Sequence, residues 1–324
     1  MTNFWAGLPQ PFFALAPMAD VTDPAFRHII AKYGAPDVMW TEFVSADGLY
    51  HTREIQKLSD SENPLMRSFM YGESERPIVA QLFSSKPEMM EYGASVVTEL
   101  GFDGVDINMG CPDKSVEKQK AGAALMKNPE LARELIRATK RGTGDKIPVS
   151  VKTRVGYNKV ELDTWLPELL AEEPAVITVH ARTRKEMSEV PARWKHVREA
   201  VELRNKLQYS SDNSHTLIIG NGDVTSLKDG RVCAEEAGAD GVMVGRGIFG
   251  NPWFFSGYTP TQEEKLRTLV EHCYSFEELC RHKSFAVMKK HFKAYVRDFD
   301  GASELRAKLM ECKNASEVAS VLGS

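Results

Sequence analysis

Apolar runs of six to nine residues recur along the first 250 positions, and most are separated by stretches with helical spacing. Eight of them read as strands: 12–18, 38–43, 77–83, 104–109, 148–156, 176–181, 216–224 and 241–247. Several are apolar on both faces, as parallel strands covered by helices must be. Their starts lie roughly 25–45 residues apart, room for a loop and a crossover helix each time. The pattern predicts an α/β fold, a (β/α)8 TIM barrel, in preference to an open doubly wound sheet.

Helix punctuation agrees. The stretch 23–34 has Pro24 near its start and Gly34 just past its end. Residues 128–142 place Asn128 as N-cap before Pro129, with basic residues near the end. Residues 226–240 form the seventh crossover helix, with Cys233 expected in its core face. After 255 the strand signals stop. Residues 256–264 read as a linker, and 265–324 as a small all-helical domain. There Leu266, Leu269, Val270 and Cys273 share one face, and Cys280, Leu305, Leu309, Cys312 and Val318 are core positions.

Composition narrows the class. Hydrophobic residues make up 42% and charged residues 27% of the chain, ordinary for a globular protein. The five cysteines form no CxxC pair and no Cys/His set with zinc spacing, so neither a metal site nor a disulfide framework is expected. The N-terminus lacks a basic, then apolar, leader pattern, and no run approaches a membrane span. A soluble, cytoplasmic monomer is expected. The net charge of −4 argues weakly against a nucleic-acid partner, but residues 281–297 hold six Lys or Arg and no acid.

In such barrels the chemistry sits at the C-terminal ends of the strands. Strand by strand those ends carry Pro17 and Met18, Glu42, Gln81, Asn108 with Cys111, Lys152 with Arg154, His180 with Arg182, Asn221-Gly222-Asp223, and Gly245-Arg246. Any one of them has a bland reading as a rim charge or packed polar residue. Polar or special residues at the same end of every strand are harder to explain by packing. The two glycine clusters follow strands 7 and 8, where barrels commonly hold a phosphate, and Arg246 adds a charge there. No GxGxxG follows the first strand, so a single-phosphate cofactor such as FMN suits the layout.

The segments "APMADVTDPAFR", "VAQLF", "DINMGCPDKSVEKQKAGAALM", "VKTRVG", "TVHART", "IIGNGDV" and "GADGVMVGRGIFGNPWFF" together resemble the tRNA-dihydrouridine synthase family, most of all its bacterial B type. The likeness resumes over 288–322. It implies an FMN-dependent enzyme that reduces the C5–C6 bond of particular tRNA uridines, the flavin being re-reduced by NADPH or NADH. By the same resemblance, Pro17, Met18, Gln81, Lys152 and His180 lie on the flavin. Asn221, Gly222, Gly245 and Arg246 hold its ribityl phosphate, and Asp223 is a further cofactor-binding residue. Asn108 contacts the uracil and Cys111 is the catalytic acid, with Arg154 and Arg182 at the mouth. Lys289, Lys290, Lys293 and Arg297 are expected to face the tRNA backbone from one helix, with Phe285, Met288, Phe292 and Tyr295 or Val296 packed inward.

Two rival expectations stand beside this one. A dihydroorotate-dehydrogenase-like flavoprotein would use the loop cysteine on a small pyrimidine, and a non-catalytic tRNA-binding protein would need no thiol. The sequence departs from the family in "SEVPARW" (188–194), before a Trp usually approached by small residues. It departs again in a polar stretch at 207–215, expected as a surface insertion.

Overall fold

A computed structural model describes residues 3–208 and 216–323. Eight parallel strands appear where the apolar runs lie: β1 Phe12–Leu15, β2 Met39–Ser45, β3 Ile78–Phe83, β4 Gly104–Asn108, β5 Val149–Arg154, β6 Val176–His180, β7 Leu217–Asn221 and β8 Gly241–Val244. Each neighbours its successor from β2 to β8, and β8 pairs with β1. A parallel bridge between Ala14 and Val38 closes the ring. The fold is the expected TIM barrel, with helices on the outside.

The N-caps behave as read, whereas Gly34 is the last residue of its helix and Ala35 the C-cap. Asp23 Oδ1 accepts from Phe26 N at 3.0 Å ahead of the helix Pro24–Gly34. Asn128 Oδ1 accepts from Leu131 N ahead of Pro129–Thr143. The helix Leu227–Ala237 ends at Gly238, whose φ of +66° suits a residue without Cβ. On this last helix Cys233 is only half-buried, its Sγ 3.9 Å from Asp229 Oδ1, so the expectation of a core thiol is corrected. The position lies toward the edge of the buried face, between exposed Val232 and buried Ala234.

Between sheet and helices lies the main core; a second apolar layer fills the barrel lumen itself. Trp5, on a short turn at the N-terminus, is buried against Phe12 and Trp40 with ring centroids 5.6 and 5.7 Å away. It plugs the N-terminal end of the barrel. The lumen is therefore a packed floor of Trp5, Phe12, Trp40, Val79, Val176, Ile219 and Met243.

The chain after β8 is helical: Gln262–Leu279, Lys289–Tyr295, Ala302–Glu311 and Ala315–Leu322. The first begins inside the expected linker, because Thr261 and Glu264 form a reciprocal capping box. These helices share a core of Leu269, Cys273, Phe276, Cys280, Met288, Phe292, Tyr295, Val296, Leu309, Cys312 and Val318. Leu266 and Leu305 are only partly buried against it. The assembly leans on Pro24–Gly34, whose Ala25 joins its core and whose Phe26 ring stacks on His272. Gly250 (φ +68°) sits at this junction, and a Cβ there would come 2.2 Å from the Ala294 carbonyl oxygen. Gly250→Ala is expected to cost about 2–4 kcal/mol through the clash and the left-handed backbone. Thermal unfolding checks this, and an unchanged melting temperature contradicts it.

The basic run does not form one helix. A short turn, Phe285–Met288, capped by Ser284, precedes Lys289–Tyr295. Phe285 is only partly buried, whereas Met288, Phe292 and Tyr295 pack inward. Nor are all its cations free. Lys283 Nζ lies 2.7 and 2.8 Å from the two Glu42 oxygens and 3.1 Å from Asp20 Oδ1, tying the C-terminal helices to the ends of β1 and β2. Of the 207–215 stretch only Leu207 and Gln208 fall within the described residues.

Candidate active site

Where the strands end, a cavity of about 720 Å3 opens, within the range typical of small-molecule sites. It is lined by Pro17, Met18, Gln81, Asn108, Cys111, Lys152, Arg154, His180, Arg182, Asn221, Gly222, Asp223, Gly245, Arg246 and Arg297. One cavity thus unites the strand-end residues singled out from the sequence, except Glu42, with a single cation from the basic run; Glu42 lies outside the lining, paired with Lys283. Lys289 is half-buried, and Lys290 and Lys293 are exposed on the neighbouring helix, outside the cavity lining.

Cys111 is held by its backbone. Its N–H donates to Asn108 Oδ1 at 2.9 Å, and its carbonyl accepts from Ala123 N at 2.9 Å. Gly122 makes the second contact possible. Its φ is +62°, and a Cβ there would sit 2.7 Å from the Cys111 oxygen. The thiol is half-buried, and burial pushes its pKa above the ordinary value, outweighing the pull of Lys152 and Arg154. At neutral pH it is a protonated thiol facing a pocket.

Positive charge is concentrated here. Lys152 has no hydrogen-bond partner among the described residues, and burial together with Arg154 pulls its pKa down to about 8. Arg154 donates to the carbonyls of Gly110, Thr183 and Met187. Arg182, almost fully buried, donates to the Val190 carbonyl, to His180 Nε2 and to Asp223. Because Arg182 donates to Nε2, His180 carries its proton on Nδ1. Burial and the surrounding cations hold its pKa well below 6.5, so the ring is neutral. Asp223 also accepts from Ala192 N and from Arg246 Nη2, both at 2.8 Å. In this arrangement its carboxylate orients two arginines.

Lys152 yields a pH test. Its folded pKa is depressed, so between about pH 8 and 10.5 the unfolded chain holds more protons and stability rises with pH. Lys152→Met is therefore expected to raise the stability of the ligand-free protein at pH 7 by roughly 2–3 kcal/mol, a gain that shrinks toward pH 10. Denaturant unfolding across that range checks it. A Lys152→Met protein less stable than the wild type at pH 7 would contradict it.

The glycines divide by cause. A Cβ at Gly220 would strike Trp194 at 2.1 Å, one at Gly247 the Val224 carbonyl at 2.4 Å, and one at Gly222 (φ +133°) Ala192 at 2.7 Å. Packing explains all three, with the backbone conformation an added cause at Gly222. Gly245 differs: a Cβ there meets nothing nearer than Met18 Sδ, 3.5 Å away, so its bare backbone faces the cavity for another reason. The atypical "SEVPARW" stretch shapes this corner, with Trp194 Nε1 donating to the Gly222 carbonyl at 2.9 Å.

Sequence reading missed the layer beneath. Asp106 is fully buried on β4; its Oδ1 accepts from Ser150 Oγ and its Oδ2 from Gln81 Nε2, both at 2.6 Å. Gln81 Oε1 in turn accepts from Asn108 Nδ2 at 3.1 Å. Burial raises the Asp106 pKa to about 6. Met187 and Ser188 at the rim were missed as well, for lack of any local signal.

Fold and cavity together define a TIM-barrel enzyme whose mouth suits an anionic ligand beside a protonated thiol. The family model for dihydrouridine synthase (Dus) matches residues 14–323. A probable tRNA-dihydrouridine synthase of Staphylococcus aureus (strain COL) is 39% identical over 99% of this chain and 94% of its own. Probable tRNA-dihydrouridine synthase 2 of Bacillus subtilis (strain 168) is 40% identical over 99% and 95%. Among solved structures, histamine dehydrogenase from Rhizobium sp. 4-9 superposes with a TM-score of 0.55 at 13% identity. The match covers 82% of this chain but only 49% of that one, a likeness of fold. The chain belongs to the dihydrouridine synthase family, and its activity is that of an oxidoreductase acting on tRNA uridine. Family membership decides against the dihydroorotate-type and non-catalytic readings. Among the described residues no helix is long and apolar enough to cross a membrane.

Proposed function

We propose that the cavity binds FMN together with one uracil turned out of tRNA, and that Cys111 protonates C5 of that uracil. Bound there, the flavin supplies hydride to C6, and NADPH or NADH restores it. The fit rests on residues of this chain: an unpartnered ammonium at Lys152, the bare backbone of Gly245, and Arg246 beside it. Lys152 and the neutral Nδ1–H of His180 donate toward the ring system, with Pro17, Met18 and Gln81 alongside. Asn221, Gly222, Gly245 and Arg246 take the phosphate, and Asp223 keeps Arg246 in place.

The observation that carries the reading is the pinned, protonated thiol of Cys111 on the wall of this cavity. Hydride addition at C6 leaves negative charge delocalised onto the C4 carbonyl, and C5 must then take a proton. A thiol kept protonated by burial serves as that general acid. Asn108 keeps one N–H for the base, and Arg154 and Arg182 stiffen the rim around it. Turning the base out of its stack costs a few kcal/mol. Residues 1–255 act as the catalytic domain and 265–324 as a tRNA-binding domain, with Lys289, Lys290 and Lys293 on the backbone and Arg297 between the two. The protein acts in the cytoplasm as a monomer.

Releasing the cofactor from purified protein and identifying it tests the first half of the reading. FMN in near-stoichiometric amount is expected. A colourless protein that takes up no FMN overturns it.

A further inference from the structure

Four side chains form a continuous chain beneath the cavity: Ser150, Asp106, Gln81 and Asn108. Both ends have an unambiguous direction. At one end a carboxylate can only accept when ionised, so Gln81 must turn its NH2 toward Asp106. At the other, the backbone N–H groups of Gly110 (3.2 Å) and Cys111 (2.9 Å) can only donate, so Asn108 must turn its oxygen toward them. The two requirements meet at the Gln81–Asn108 bond, where oxygen faces NH2 as both demand.

We propose that Asp106 is a positioning residue that sets the polarity of this chain. It fixes which way both amides point, holds the turn that carries Cys111, and leaves one N–H each of Gln81 and Asn108 facing the cavity. The cavity wall then offers donors to carbonyl oxygens of a ring. This role rests on the assignment of Cys111 to the chemistry, while the polarity itself does not.

Substitutions should sort by polarity. In Asp106→Asn the new NH2 can face Ser150, whose hydroxyl can turn to the Val105 carbonyl at 3.4 Å; the chain survives. Asp106→Ala frees Gln81 to flip. Asn108→Asp opposes a carboxylate to Gln81 Oε1. Combined with Asp106→Asn, however, the whole chain can run in reverse. The carboxamide introduced at position 106 then gives its NH2 to the Gln81 oxygen, and Gln81 gives its NH2 to the carboxylate introduced at position 108. That carboxylate still accepts from Cys111 N.

The experiment loads each variant with FMN and measures thermal unfolding, flavin reduction by NADPH, and single-turnover reaction of the reduced protein with unmodified tRNA. Asp106→Ala is expected to slow the tRNA step by about thirtyfold while flavin reduction stays within about threefold, and Asp106→Asn to stay within about fivefold in both. Asn108→Asp should lower the melting temperature, and adding Asp106→Asn should restore most of the loss. An Asp106→Ala variant with a wild-type tRNA step, or a double variant no more stable than Asn108→Asp alone, overturns the proposal. Cys111→Ala serves as reference: full turnover there removes the acid assignment, whereas the stability rescue judges the polarity on its own.

Discussion

Cys111→Ala is expected to keep its flavin, its reduction by NADPH and its affinity for tRNA, yet to form dihydrouridine about 10²–10⁴-fold more slowly. The size follows from the role. A general acid acts on one proton in one step, so its loss leaves binding untouched and removes only that contribution. The structure favours an acid over a nucleophile because burial raises the thiol pKa, where a nucleophilic cysteine would need it lowered. The backbone around Cys111 is pinned by Asn108 and Ala123 rather than by the thiol, so alanine should leave the turn in place. Measuring dihydrouridine in product tRNA beside flavin content separates this outcome from simple unfolding.

The second large effect concerns the basic helix. Neutralising Lys289, Lys290 and Lys293 together is expected to flatten the salt dependence of tRNA binding by about two to three in log–log slope, with affinity lower by roughly 10²-fold at low salt. Lys290 and Lys293 are exposed and none of the three lies in an ion pair among the described residues, so their charge is available to phosphate. Lys283 stands apart from the set, since it is occupied by Glu42 and Asp20. Filter binding over a salt series decides it; unchanged affinity and slope would place the tRNA elsewhere.

The strands were legible because a parallel strand covered by helices leaves a short, largely apolar run, and each of the eight strands lies in one. The address of the site was legible for a related reason: barrel strands share one direction, so their last residues converge. What escaped notice depends on contacts distant in sequence. Trp5 reads as a stray aromatic until the barrel floor is closed around it. Asp106 reads as one polar residue in an apolar strand, because its partners lie 25 and 44 residues away. Lys283 is indistinguishable in sequence from the cations near it, and only the fold brings Glu42 beside it. The glycine clusters were read as one phosphate cradle, whereas Gly220 and Gly247 are explained by Trp194 and the Val224 carbonyl. Only Gly245 keeps the cofactor reading free of a packing cause.

In the proposed reaction, flavin electrons and the Cys111 proton both end on a tRNA uracil in this cavity. Mixing FMN-loaded, anaerobically reduced protein with tRNA lacking the modification tests this, with flavin oxidation and dihydrouridine content followed in the same sample. The wild-type protein is expected to oxidise its flavin in step with dihydrouridine formed, one for one, and Cys111→Ala to do neither at a comparable rate. Dihydrouridine appearing without flavin oxidation, or at the wild-type rate in Cys111→Ala, would contradict it.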